Sequence, residues 1–252
     1  MMNKKFDFKD ITIVPETISS ITSRSSIDIF SKDGRLPIMV SPMDTVIDEL
    51  NCDTFIKNNL EVCLPRGVFY HDDRVFSSVS LEDFEIIVEW FEHEHFNNES
   101  IHLLVDIANG HMEKLYNLCE KFVNTKKNIN QKIMVGNIAN PNTYKKFAEI
   151  GVDYIRVGIG GGSGCLTSAN TGIHYPMASL INECYLIKKE HEFQTNIVAD
   201  GGFKNYDDII KALALGADYV MLGGVLNKTL ESCSQTKLFN VIPLSQETSK
   251  HI

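Results

Sequence analysis

Two stretches of this chain read nearly as repeats: EIGVDYIRVGIG at residues 149–160 and ALGADYVMLGG at residues 214–224. Each begins on the tail of a helical pattern, turns at a glycine, and runs into a short apolar strand that itself ends in glycine. A helix-to-strand unit that recurs about two units later marks a fold built from repeated βα modules. Further runs of the same character lie upstream and between them: PIMVSPM (37–43), EVCLPRG (61–67), IHLLVDIA (101–108), KIMVGNIA (132–139) and NIVADGG (196–202). Runs this short, rich in Val and Ile, suit strands buried on both faces of a parallel sheet. FSSVS (76–80) is less apolar and supplies the eighth strand. The expectation is an α/β fold: one (β/α)8 TIM barrel over residues 1–252, truncated after the eighth strand, with a short N-terminal segment and a short C-terminal tail. A doubly wound open sheet stays open as the alternative, because strand order is not written in a sequence.

The helices between these runs carry start and stop signals. In ANPNTYKKFAEIG (139–151), Asn140 can cap, Pro141 suits the first helical position, and Gly151 can end the helix in a left-handed conformation. KNYDDIIKALALG (204–216) repeats the plan, with Asn205 as cap, Asp207 and Asp208 at the positive end, and Gly216 as the stop.

Composition narrows the function. A formal net charge of −9 without a block of Lys and Arg excludes a general nucleic-acid binder. No apolar run reaches the roughly 18 to 20 residues that cross a bilayer, and the start MMNKKFDFKD has no apolar signal core, so no membrane partner and a cytoplasmic location are expected. Six cysteines, at 52, 63, 119, 165, 184 and 233, form no CxxC pair. Five fall in segments that read as helix, strand or tail, where a thiol is an apolar filler. His93 and His95, two apart, point away from each other on a helix and do not share a metal.

Active sites of such barrels gather at the C-terminal ends of the strands. There the runs end in Ser41-Pro42-Met43-Asp44, Arg66-Gly67, Asp106, Gly136-Asn137, Asp200-Gly201-Gly202 and Gly223-Gly224. Two glycine pairs closing late strands let backbone N–H groups approach a phosphate. Asp200 can accept from two ribose hydroxyls. After the sixth strand comes GIGGGSGCLTSANTG (158–172), in which the sixth cysteine, Cys165, sits among glycines with Thr167 two residues on. A loop of outward amides can stabilise a thiolate nucleophile, although the same glycine run could cradle a phosphate or present carbonyls to a monovalent cation. No Gly-Lys-Ser/Thr follows, so it is not a P-loop.

Together, DFKDITIVP (7–15), PIMVSPMDTV (37–46), DIANGH (106–111), IMVGNIA (133–139), GVDYIRVGIGGGSGCLTSANTGIHYP (151–176) and ADGGFKNYDDIIKALALGADYVMLGG (199–224) resemble the IMP dehydrogenase and GMP reductase family, in the family order. The resemblance implies a (β/α)8 barrel in which Cys165 attacks the purine carbon between the two ring nitrogens. In the reductase branch ammonia then leaves and a hydride from NADPH adds, converting GMP to IMP; in the dehydrogenase branch hydride leaves to NAD and water releases XMP. It also implies Thr167 as the group that activates the ammonia or water. Ser41, Met43, Asn137, Arg156, Ser163, Asp200, Gly202, Gly223 and Gly224 would bind the purine nucleoside monophosphate, the three glycines at its 5′-phosphate. Asp106, Ala108 and Gly110 would serve the cofactor, and the carbonyls of Gly158, Gly160 and Cys165 would hold potassium. A homo-oligomer, a tetramer by family resemblance, follows.

DIANGH and MLGG are similar to the reductase branch, and the regulatory insertion of many dehydrogenases is absent. The departures are local and terminal. After Gly224 runs VLNKTLESCSQTKLFNVIPLSQETSKHI, without the family's Tyr-Gly-Met phosphate motif, flap pair or reductase glutamate, and Arg66 stands in CLPRGV where the family usually has IHR or IHK. The expectation is therefore a GMP-reductase-like oxidoreductase acting on GMP, dGMP or a modified guanine nucleotide. A non-catalytic purine-nucleotide-binding protein and a minimal IMP dehydrogenase are the alternatives.

Overall fold

The computed structural model describes residues 4–31, 34–70, 72–92, 100–126, 130–159, 171–234, 237–239 and 242–244. Eight parallel strands close into a barrel: β1 (Ile38–Val40), β2 (Glu61–Leu64), β3 (Val75–Val79), β4 (Ile101–Asp106), β5 (Gln131–Ile138), β6 (Tyr154–Val157), β7 (Asn196–Asp200) and β8 (Tyr219–Leu222). Strand order follows chain order, and β8 pairs back onto β1 with Met39 opposite Met221, so the open-sheet alternative is excluded. The weakest strand of the sequence reading, FSSVS, overlaps β3 from Phe76 to Val79, and every residue of β3 is buried.

Helices α1 (Cys52–Lys57), α2 (Leu81–Glu92), α3 (Glu113–Thr125), α4 (Pro141–Glu149), α5 (Met177–Glu190) and α6 (Tyr206–Ala214) cover the outside. The starts of α4 and α6 form as their residue types dictate. The Asn140 side chain accepts from Asn142 N with Pro141 inside the first turn, and Asn205 and Asp208 form a reciprocal capping box. Gly151 and Gly216 follow those helices at positive φ. The β2–β3 connection departs from the regular alternation: no helix forms among its described residues. Beyond β8, where only a tail is expected, β9 (Lys237–Phe239) and β10 (Ile242–Leu244) pair antiparallel.

Period-two alternation sorts the strand residues into two shells. Val62, Leu103, Val105, Ile133, Val135, Ile155 and Ile197 pack outward in the shells under the helices. Met39, Cys63, Phe76, Leu104, Met134, Tyr154, Val198, Tyr219 and Met221 fill the barrel interior as a separate cluster. The same alternation carried one step further, from Leu104, Tyr154 and Val198, turns Asp106, Arg156 and Asp200 inward at the C-terminal mouth. That is why an arginine can sit in a strand with no exposed residue.

The N-terminal segment straps this mouth. Phe8 is buried and stacks on Phe203 at 5.5 Å, Asp7 Oδ1 accepts from Met177 N at the start of α5 (2.8 Å), and Lys211 on α6 donates to the Phe8 carbonyl (3.0 Å).

Candidate active site

A cavity of about 1390 Å³ opens at the C-terminal end of the barrel. Its floor is a charged layer contributed by three strands. The Arg156 guanidinium lies 2.5 Å from Asp106 Oδ1 and 3.4 Å from Asp200 Oδ2. Its Nε also donates to Asn137 Oδ1 at 2.7 Å. Asn137 Nδ2 in turn donates to Asp200 Oδ2 and to the Gly158 carbonyl, both at 2.7 Å.

Asn137 reaches these partners because the β5–β6 register shifts between Gly136 and Ile138. A bulge of this kind re-aims a side chain at a barrel rim. Burial by itself would loosen the Arg156 proton, but the facing carboxylates of Asp200 and Asp106 outweigh it and hold the guanidinium pKa above its ordinary value. The layer is thus one buried cation between two half-buried anions, each hydrogen-bonded, as a buried charge must be to persist inside a protein. Arg66 adds a second cation from the end of β2, donating to the Asp106 carbonyl with its Nε 3.9 Å from Asp106 Oδ2.

Around this floor the structure brings together most of the residues singled out in the sequence. Ser41, Met43, Asn137, Arg156, Asp200, Gly202, Gly223 and Gly224 all line the cavity, as do Asp106, Ala108 and Gly158. Ser41 N donates to the Leu222 carbonyl at 3.0 Å, which brings the ends of β1 and β8 together at the mouth. Gly158 has φ +131°, and a side chain there would strike the Asp200 carbonyl and the Met177 thioether. Gly110 is apart from the cavity lining. It is buried, donates to the Asn137 carbonyl (2.9 Å), and leaves no room for a Cβ beside Ile138. His111 of the same motif accepts from Ala139 N at 3.0 Å. The loop after β4 is therefore braced on the loop after β5.

Gly160, Ser163, Cys165 and Thr167 lie outside the described residues, as do His93 and His95. The two ends of the cysteine loop do lie within them. The carbonyl of Ile159 is 3.0 Å from His174 Nδ1, and His174 Nε2 is 3.7 Å from Asp7 Oδ2 of the N-terminal strap. Of the remaining cysteines, Cys52, Cys63, Cys119 and Cys184 are buried and Cys233 is half-buried. Among the described residues no group of His, Cys, Asp and Glu forms a metal cluster, and no helix is long and apolar enough to cross a membrane.

The sequence reading missed Phe203, Lys204, Lys228 and Thr229, which line the cavity. Lys204 could have been found from its place directly after the Asp-Gly-Gly-Phe turn; Lys228 carries no local signal.

A family model described as "IMP dehydrogenase / GMP reductase domain" matches residues 94–245. The chain is 30% identical to GMP reductase 2 of Mus musculus over 253 residues, which covers 90% of this chain and 70% of that protein. It is 36% identical to inosine-5′-monophosphate dehydrogenase of Bacillus subtilis (strain 168) over 137 residues, 54% of this chain and 27% of that one. Among solved structures, the inosine 5′-monophosphate dehydrogenase from Legionella pneumophila matches with a TM-score of 0.72 at 27% identity, covering 93% of this chain and 73% of that chain. With a closed eight-stranded barrel, a polar layer at its mouth and matches that span nine-tenths of its length, the chain belongs to the IMP dehydrogenase / GMP reductase family and resembles the GMP reductases more fully than the dehydrogenases.

Proposed function

We propose that this chain is a purine-nucleotide oxidoreductase that reductively deaminates GMP or a close guanine nucleotide through a covalent adduct on Cys165. The observation that carries the reading is the layer of Asp106, Arg156, Asn137 and Asp200 on the cavity floor, beside Gly158, where the cysteine loop starts. Through Asn137 the same network holds the Gly158 carbonyl. Asp200 Oδ2 is taken up by Asn137 and Arg156, and its Oδ1 has no hydrogen-bond partner among the described residues, which leaves an acceptor facing ribose hydroxyls.

The cavity also fits a second ligand. Sites for one small molecule span roughly 300 to 1,000 Å³, and this one is larger, with Asp106 and Ala108 lining it as well as the glycines of β7 and β8. NADPH, when bound there, supplies a hydride. The chain's own groups do the rest. The Cys165 thiolate adds to the purine carbon between the ring nitrogens, the carbon–nitrogen bond to the exocyclic amine breaks, and the amine leaves as ammonia with protons relayed by Thr167. Once that carbon has gained the hydride, the carbon–sulfur bond breaks and the thiolate returns. The balance is GMP, NADPH and two protons to IMP, NADP⁺ and ammonium. By the family resemblance the Gly158 carbonyl, which accepts one hydrogen bond from Asn137, would hold a potassium ion together with Gly160 and Cys165. A cytoplasmic homotetramer belongs to the same reading, on the strength of the family resemblance.

The test is to follow the absorbance of the reduced cofactor with GMP, dGMP, IMP and XMP, each with NADPH or NAD⁺. Oxidation of NADPH with GMP or dGMP, lost in Cys165→Ala, supports the reductase. Reduction of NAD⁺ with IMP would make the chain a dehydrogenase. Tight nucleotide binding without turnover in any pairing would make it a binding protein.

A further inference from the structure

Four cations line the cavity, and they divide sharply in their engagements. Arg156 and Arg66 both serve Asp106, and Arg156 also serves Asp200. Lys204 and Lys228 have no ion-pair partner among the described residues, and both are exposed. The acids that follow Lys204 in the chain are already committed. Asp207 pairs with Lys211 at 2.8 Å, and the buried Asp208 accepts the backbone N–H groups of Lys204 (2.9 Å) and Asn205 (3.1 Å).

Both lysines spring from anchored backbone. Lys204 is held by that Asp208 bond and follows Phe203, which is stacked on Phe8. Lys228 ends a 3-10 turn, Leu226–Lys228, fixed by Asn227 N to the Gly223 carbonyl and Thr229 N to the Leu226 carbonyl, both 2.9 Å. Beside it, the Thr229 hydroxyl is buried without a hydrogen-bond partner. One lysine follows the Gly201–Gly202 pair and the other follows Gly223–Gly224, so the two glycine turns, which offer only neutral N–H donors, each have an uncommitted ammonium a few residues on.

We infer that Lys204 and Lys228 are a cationic pair that binds the phosphate of the purine nucleotide. This rests on the reading of the cavity as a nucleotide site and goes beyond it: affinity for the dianion comes from two side chains outside the glycine turns. In a chain of net charge −9, two lysines that line one cavity without an ion-pair partner among the described residues also give an approaching anion a local attractive field. The cofactor's phosphates share this chemistry, and the proposal commits to the nucleotide substrate.

Binding of GMP, guanosine, pyrophosphate and NADPH is measured by titration calorimetry on the full chain and on Lys204→Ala, Lys228→Ala, Lys228→Arg and the control Lys57→Ala, which alters an exposed lysine on α1. A charge-assisted contact contributes roughly tenfold in affinity. Each alanine variant therefore weakens GMP by about tenfold and leaves guanosine and NADPH unchanged, while Lys228→Arg and Lys57→Ala stay near the parent. In parallel, lysine acylation read by mass spectrometry shows GMP, and not guanosine, protecting Lys204 and Lys228. Unchanged GMP affinity in both alanine variants, equal losses for guanosine, or a loss confined to NADPH overturns the pair. A chain that binds no purine nucleotide fails the proposed function instead. Pyrophosphate protection of the two lysines then decides this inference on its own, and its absence overturns it.

Discussion

The guanidinium of Arg156 on β6 sits 2.5 Å from Asp106 Oδ1 on β4 and 3.4 Å from Asp200 Oδ2 on β7, spanning the barrel mouth from inside. Its side chain is only 8% exposed, whereas the two half-buried carboxylates keep Arg66 and Asn137 as further partners. Removing one member of a buried ion pair costs about 3 to 5 kcal/mol, and here the cost falls to the lower end, about 3 kcal/mol, because Asp106 keeps Arg66, Asp200 keeps Asn137 and both carboxylates are partly solvated. Arg156→Ala is expected to lose about that much in urea denaturation and to bind no nucleotide. Arg156→Lys should recover little, since a single ammonium cannot meet Asp106, Asp200 and Asn137 together. A variant with parental stability would show that the layer is solvated rather than interlocked.

At the opposite end of the barrel, His102 is buried with Nδ1 unpartnered, and burial lowers its pKa from 6.5 to about 4. In the unfolded chain the ring takes up a proton near 6.5, while in the fold it stays neutral until about 4. The stability it contributes is present above 6.5 and is lost as pH falls across that window. At about 1.4 kcal/mol per pH unit, the loss between pH 6.5 and 5 comes to about 2 kcal/mol. Denaturation curves at the two pH values should show that difference shrinking in His102→Leu. An equal pH slope in the variant would mean that the ring charges within the fold.

Thiol reactivity separates the filler cysteines from the proposed nucleophile. Burial pushes the thiols of Cys63, Cys119 and Cys184 far up, and that of Cys52 up to about 11. These four should resist iodoacetamide at neutral pH until the chain is unfolded. Cys165 should react in the native protein and be protected by GMP. Peptide mapping decides the matter, and a Cys165 that labels no faster than Cys52 would argue against an activated thiolate.

The parts of this fold that a sequence states openly are those set by neighbours in the chain. Strands such as Ile101–Asp106 announce themselves because both faces are buried, and α4 and α6 because Asn140, Pro141 and Asn205 are local signals. Asp106, Asp200 and Asn137 were visible as polar residues ending apolar runs. Their union through Arg156 was not, since it depends on the registers of β4, β5, β6 and β7 and on the shift that turns Asn137 inward. The helix-free step from β2 to β3 and the β9–β10 pair were hidden for a similar reason: neither has a periodic pattern long enough to read. Gly110 drew a cofactor expectation from its motif, and its packing against Asn137 and Ile138 at the end of β5 was not legible in the sequence.

The seam between β1 and β8 has a consequence for how the protein comes into being. Ser41 and Met43 meet Gly223 across it, so one wall of the cavity joins residues about 180 positions apart, and the Ser41 amide rests on the Leu222 carbonyl. Contacts this distant form late, after the loop-closure entropy of the whole barrel has been met. The wall made by Ser41, Met43 and Gly223 is therefore complete only once the eighth strand has closed on the first.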